Sequence, residues 1–184
     1  MRPVVLSMNI SLDGYLATRD GGLQWAFPRF DAELMSLNAS ELGETETILM
    51  GRKTYEGMAA HWPNLSDPIA KMMNAVEKVV FSRTLKDVSW SGARLAKRSL
   101  AEEIASLKQA RGKRIGIAGG AMLAQGAIAA KLIDQYRLLM HPVALGQGLP
   151  LFVEPLQLER LDSTGLHSGV TITSYRPLAS GAQG

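Results

Sequence analysis

Four stretches of the sequence set groups that could hold an anion or a flat ring just where an apolar run ends. Residues 50–54, Met-Gly-Arg-Lys-Thr, follow the apolar residues Ile48 and Leu49. Gly51 lets the chain turn, Arg52 and Lys53 carry charge, and Thr54 adds a hydroxyl donor. A helix starting there would add unpaired N–H groups and a dipole of about half a positive charge. The set reads as a phosphate seat; a strand-to-helix turn bearing two solvated charges is the alternative. Ser82 and Arg83 stand directly after the run of residues 78–81. The arginine fork suits the oxygens of a phosphate monoester, although a solvated arginine would look the same. Gly119 and Gly120 mark a third junction, where missing side chains permit close approach of backbone to a pyrophosphate. Tight helix–sheet packing asks for glycine too, and the GxGxxG fingerprint occurs nowhere in the chain. The fourth stretch, residues 11–25, mixes the turns Asp13-Gly14 and Asp20-Gly21-Gly22 with Tyr15, Leu16 and Trp25. It reads as a lid over a flat ring, with an ordinary surface loop as the alternative.

Other chemistries find little support. There is no cysteine, so no disulfide framework, zinc knuckle or thiol nucleophile. His61, His141 and His167 have no metal-ligand spacing, and no metal is expected. His141, inside an apolar stretch, reads as a structural histidine. No GxSxG elbow is present, and Met72 and Met73 read as core filling.

The elements that must position these groups follow from periodicity. A β-rich run covers residues 3–10, and Phe30, Leu34, Leu37 and Leu42 recur near helical spacing behind Asp31. A strand at 47–50 leads into a helix at 52–60. Ser66, Asp67 and Pro68 open another helix, and residues 78–82 form a strand. Ser99 with Glu102 makes a capping box for a helix that Gly112 ends. Residues 114–119, 120–132 and 134–145 read as strand, helix and strand. Residues 149–152, 157–167 and 169–177 then read as strands or a hairpin. Strands alternating with helices imply an α/β fold: a mostly parallel twisted sheet flanked by helices, with antiparallel C-terminal edge strands. One domain is expected over 1–177, with 178–184 a flexible tail.

Composition agrees. The 184 residues are 46% apolar, enough for a core without metal or disulfide. The first residues read as a strand rather than a signal peptide, and no run reaches the roughly 18 apolar residues of a membrane span. A cytoplasmic protein with no membrane partner is expected. The net charge is +3, with bases crowded into 61–120 and acids into 1–60. That imbalance suits an anion, while the lack of interleaved aromatics argues against nucleic acid.

In order, the motifs SMNISLDGYLA, MGRKTYE, VVFSRT, IAGGAMLAQG and GQGLPLF resemble the dihydrofolate reductase-like superfamily. They are most similar to the reductase domain of the bifunctional riboflavin-biosynthesis deaminase–reductase and its stand-alone relatives. The likeness covers residues 3–176. It implies NADPH as cofactor. Gly51, Arg52, Lys53 and Thr54 would receive its phosphates, and Ser82 and Arg83, after Phe81, its 2′-phosphate. Gly119, Gly120, Ala121, Met122 and Leu123, after Ala118, would lie under the pyrophosphate, and Asn9 and Ala17 would flank the nicotinamide.

A hydride would pass to a C=N carbon of a pteridine-like or aminopyrimidine substrate, such as a 5-amino-6-(5-phosphoribosylamino)uracil-like compound. Trp25, Asp31 and Tyr55 would line the substrate pocket, and Asp13 and Asp31 are the candidate proton donors. Two departures from the riboflavin branch are read: these 184 residues hold no zinc-binding His and Cys set of a deaminase partner, and residues 30–46 hold no cation. Dihydrofolate reductase activity and a non-catalytic NADP(H)-binding module are the alternatives. A homodimer is expected, paired through residues 149–152 at an exposed edge, as relatives of the riboflavin branch are commonly dimers.

Overall fold

In the computed structural model, which describes residues 1–178, the alternation of the first strand organises the rest. β1 (Val4–Ser11) turns Val4, Leu6, Met8 and Ile10 to one face and Ser7, Asn9 and Ser11 to the other. The chain continues through β2 (Tyr15–Ala17), α1 (Ala32–Gly43), β3 (Thr45–Gly51), α2 (Arg52–His61), α3 (Pro68–Ala75), β4 (Glu77–Phe81) and β5 (Ala93–Leu95). Then come α4 (Leu100–Gln109), β6 (Arg114–Ile117), α5 (Ala121–Ala129), β7 (Gln135–His141), β8 (Leu149–Pro150), β9 (Leu158–Gly165) and β10 (Thr171–Pro177).

Eight strands form one sheet in the order β5-β4-β3-β6-β1-β7-β10-β9. Every pairing from β5 to β7 is parallel, while β10 runs antiparallel to β7 and β9 antiparallel to β10. β2 and β8 make a separate antiparallel pair. The carboxyl ends of β4, β3, β6, β1 and β7 therefore stand side by side along one edge.

Both faces are covered, as the parallel strands require. On one, Leu6, Leu49, Val79 and Ile117 meet Ile104 of α4 and Ala124 and Ala127 of α5. On the other, Ile48, Met50 and Val80 meet Tyr55 of α2, Met73 of α3 and Trp90. Leu34 of α1 packs with Leu139 and Ile172. β5, only Ala93-Arg94-Leu95, is too short to show a periodic pattern. Its Arg94 holds it to α4 through both oxygens of buried Glu103, at 3.1 and 3.0 Å.

Two expectations change here. Tyr55, expected in a substrate pocket, is buried against Trp90, and its hydroxyl accepts the N–H groups of Ser89 and Trp90 at 2.9 and 3.2 Å. Its place in the helical repeat points it at the core. Residues 149–152 do not join the main sheet: Leu149 and Pro150 pair with β2 in the separate two-strand sheet, and Leu151 is fully buried. The outer strand on that side is β9. Of the expected tail, residues 179–184 lie outside the described residues.

Tyr55→Phe would keep the ring and orphan two backbone donors. It is expected to lower unfolding free energy by about 1–3 kcal/mol, measured by urea denaturation.

Candidate functional site

Helices α1, α3 and α4 each begin on a side chain that accepts a first-turn N–H: Asp31, Asp67 and Ser99. Helices α2 and α5 begin on Gly51 and Gly120, with no side-chain cap. Their first N–H groups are thus left for something other than the protein's own side chains. The two starts are neighbours, because β3 and β6, the strands that feed them, are paired. Gly119 and Gly120 have φ of +75° and +86°, a region that disfavours any side chain. A Cβ on Gly119 would come within 2.7 Å of Thr54 Oγ1, and one on Gly120 within 3.7 Å of the Gly51 nitrogen. Gly51, Thr54, Gly119 and Gly120 therefore form a single cradle.

Arg52 and Lys53 border it on the first turn of α2. Arg52 rests on Glu56 at 3.0 Å in a half-exposed i,i+4 pair, an attachment of little energy that a better anion could displace. Lys53 is exposed. The carboxyl of Asp20, in the turn at 18–22, is held low first by the Thr18 hydroxyl and, more weakly, by the charge of Lys53. That turn closes on itself, with Thr18 N donating to Gly22 O and Gly22 N to Thr18 Oγ1. Ala118, Ala121 and Leu123 are half-buried along the second start, while Met122 is exposed.

One strand outward, Phe81 ends β4 against the core and Ser82 closes the turn, its hydroxyl accepting from Thr84 N and Leu85 N at 3.1 and 2.9 Å. Arg83 projects from this turn, exposed.

At the other end of the row lies an aromatic cluster. His141, fully buried at the end of β7, has Nε2 2.9 Å from Asn9 Oδ1 of β1. Trp25 meets its ring edge-on at 5.3 Å and Phe30 stacks on it at 6.1 Å. Exposed Phe27 then packs against Phe30 at 6.0 Å, so aromatic surface runs from solvent to the buried imidazole. Burial, helped by the nearby Arg29 charge, pushes the His141 pKa down, so the ring is neutral at pH 7. With Nε2 donating to Asn9, Nδ1 remains an acceptor; it and Trp25 Nε1–H are buried without partners. His141 is thus only half satisfied, contrary to the structural reading from sequence. The overlooked signal was position: a histidine ending a parallel strand, paired in register with Ser11.

The candidate acids take different places. Asp13 accepts from Ser11 Oγ at 2.6 Å and from the N–H groups of Leu145 and Gly146 at 3.1 and 2.7 Å. The Ser11 hydroxyl first, then the two amides, hold its pKa at about 2. Asp13 is therefore ionised at neutral pH and fastens the loop after β1 to the loop after β7. Ala17, buried in β2, is locked the same way, since a Cβ on Gly148 would collide with Ala17 O. Asp31 caps α1 through Leu34 N at 2.9 Å, directly after Phe30, and is half-buried.

A pocket of about 420 Å³ against Trp90 and Pro63 lies off this row. No helix is long and apolar enough to cross a membrane.

Gly119→Ala is expected to cost about 1–2 kcal/mol in urea unfolding from the positive φ alone, before Thr54 is displaced. The Asp13 contribution has a definite sign. Its folded pKa lies below the ordinary 3.8, so its stabilisation is present above about pH 4 and is lost as pH falls through 2. The stability gap between wild type and Asp13→Asn should therefore reach its full width by about pH 5, hold above it, and close toward pH 2.

The profile of the RibD C-terminal domain family matches residues 2–172. The uncharacterized protein YyaP of Bacillus subtilis is 31% identical over 182 residues, 95% of this chain and 94% of its own. RibD of Acinetobacter baumannii superposes with a TM-score of 0.74 over 97% of this chain and 59% of its own, at 17% identity. Dihydrofolate reductase of Enterococcus faecalis, solved with NADP(H), superposes with a TM-score of 0.64 over 95% of this chain and 96% of its own, also at 17%. These structural likenesses are of fold: the dihydrofolate reductase-like architecture.

Proposed function

The chain belongs to the RibD C-terminal domain family, and on that premise we propose that it is an NADPH-dependent reductase acting on a C=N bond of a pteridine-like or aminopyrimidine ring. The observation that carries the reading is the glycine cradle, where two uncapped helix starts meet on neighbouring strands. Gly119 makes room for Thr54, a Cβ on Gly120 would come against the Gly51 nitrogen, and the space between the two helix starts, lined with backbone donors, fits a pyrophosphate. Gly51, Arg52, Lys53 and Thr54 would hold it from one side and Gly119, Gly120, Ala121, Met122 and Leu123 from the other. Ser82 and Arg83 would take a 2′-phosphate, with Phe81 behind them.

The row from β4 to β1 spans three strand intervals, about 14 Å, which suits an extended dinucleotide. Asn9 and Ala17 would then flank the nicotinamide, with Ala118 behind the glycine pair. Bound NADPH would supply the hydride. The protein's share is to orient and to exclude water. Trp25 and Phe30 offer flat apolar surface for a ring. Trp25 Nε1–H and His141 Nδ1 offer one donor and one acceptor to its amide-like edge, and Asp31 is the acid nearest in sequence to this cluster. Asp13, already ionised and bound, is assigned to holding the loops instead of supplying a proton.

Titration of the pure protein with NADPH and NADH, followed by nicotinamide fluorescence, tests the cofactor. NADPH should bind more tightly, and Arg83→Ala should shrink that preference by roughly 10- to 100-fold, the worth of a charge-assisted contact. An unchanged preference would remove Arg83 from the 2′-phosphate. Turnover is tested with NADPH against dihydrofolate, dihydropterins and the diaminopyrimidine ribityl precursor. Binding without turnover of any of these would leave a dinucleotide-binding module.

A further inference from the structure

Helix α1 does not rest on apolar surface throughout. Beneath its second half, β1 and β7 present Ser7 and Arg137, partners in register. Arg137 is only 8% exposed, and its Nη1 donates to Ser7 Oγ and to Asn38 Oδ1 of α1, both at 3.2 Å. These acceptors are neutral. Among the described residues Arg137 makes no ion pair, whereas Arg2, Arg94 and Arg114 each have a carboxylate. Glu41, the acid whose charge reaches Arg137, is bound to Arg114 at 2.7 Å.

A buried guanidinium without a counter-charge is costly to maintain. Its Nε and Nη2 have no acceptor among the described residues, yet neither is a sealed orphan. Arg137 lines a pocket of about 270 Å³. Arg114, paired with Glu41 that lines the pocket too, and Gln135 stand there at the starts of β6 and β7, and Ser174 of β10 adds a hydroxyl. Asp162 of β9 stands on the rim, exposed and without an ion pair among the described residues.

We propose that this pocket is a binding site for a small anion, a phosphate or a compact carboxylate, held by the free edge of the Arg137 guanidinium with Arg114 beside it. The fork geometry of the two free nitrogens matches two oxygens of either group. The site is separate from the row of strand ends: Arg137 precedes His141 by four residues, about 13 Å along β7. It stands whether or not the chain binds NADPH.

The test is thermal unfolding of the full chain in phosphate, in malonate and in chloride at matched ionic strength. Phosphate or malonate should raise Tm saturably above chloride, by roughly 3–5 °C at ten times the half-saturating concentration. Arg137→Met should abolish the rise. Because that change touches a buried group, Ser40→Trp provides a second arm: Ser40 is exposed and lines the pocket, and an indole there would occupy it while Arg137 itself is unchanged. It should leave Tm in chloride unchanged and remove the rise. Arg52→Ala/Arg83→Ala should retain it. Three results would each overturn the assignment: a rise no larger than in chloride, a rise that survives Ser40→Trp, or a rise lost in Arg52→Ala/Arg83→Ala.

Discussion

Two helices that carry no cap of their own can begin side by side only if the backbone between them is free of side chains. That is the constraint on which the candidate site depends. Gly119 and Gly120 turn through positive φ, Thr54 fills the space a Cβ at 119 would take, and Gly51 lies against Gly120. Because β3 and β6 are neighbours, the N-termini of α2 and α5 meet at one place even though the helices pack on opposite faces of the sheet. The unpaired N–H groups and two like-oriented dipoles then make a positive concavity at the centre of the strand-end row.

Strand order distributes the remaining groups around that centre. β4 places Ser82 and Arg83 on one side, and β1 and β7 place Asn9 and His141 on the other. Irregular segments are held in position by specific contacts. Asp13 binds the backbone of Leu145 and Gly146, and β2 pairs with β8, so the loop bearing Ala17 is tied to the loop after β7. The face beneath α1 carries polar pairs, Ser7 with Arg137 and Asn9 with His141, on either side of the apolar contact of Leu34 with Leu139. Polar groups buried there have unused hydrogen-bonding capacity at both ends of α1, which is where ligands are inferred.

Much of this was legible in the sequence because local signals agreed with the global fold. The capping residues Asp31, Asp67 and Ser99, the buried runs of β1, β3 and β4, and the glycine pair before α5 all stand where their patterns put them. The misses have physical reasons. Residues 93–95 form a strand through pairing with β4 and the grip of Arg94 on Glu103, neither visible in a three-residue window. Tyr55 follows a phosphate-like motif but sits one step round the helix from Thr54, which turns it to the core. Residues 149–152 look like an edge strand, yet the two-strand pair with β2 buries Leu151. The half-satisfied state of His141 depends on Asn9, Trp25 and Phe30 converging from three separate segments, which no spacing along the chain reveals.

The central claim is that backbone donors of two helix starts together receive a pyrophosphate. It is tested most directly by the backbone amide resonances of the protein as NADPH is added. The N–H signals of Arg52, Lys53, Ala121 and Met122 should shift together and saturate at one concentration. Shifts confined to other regions, or to only one of the two helix starts, would contradict it.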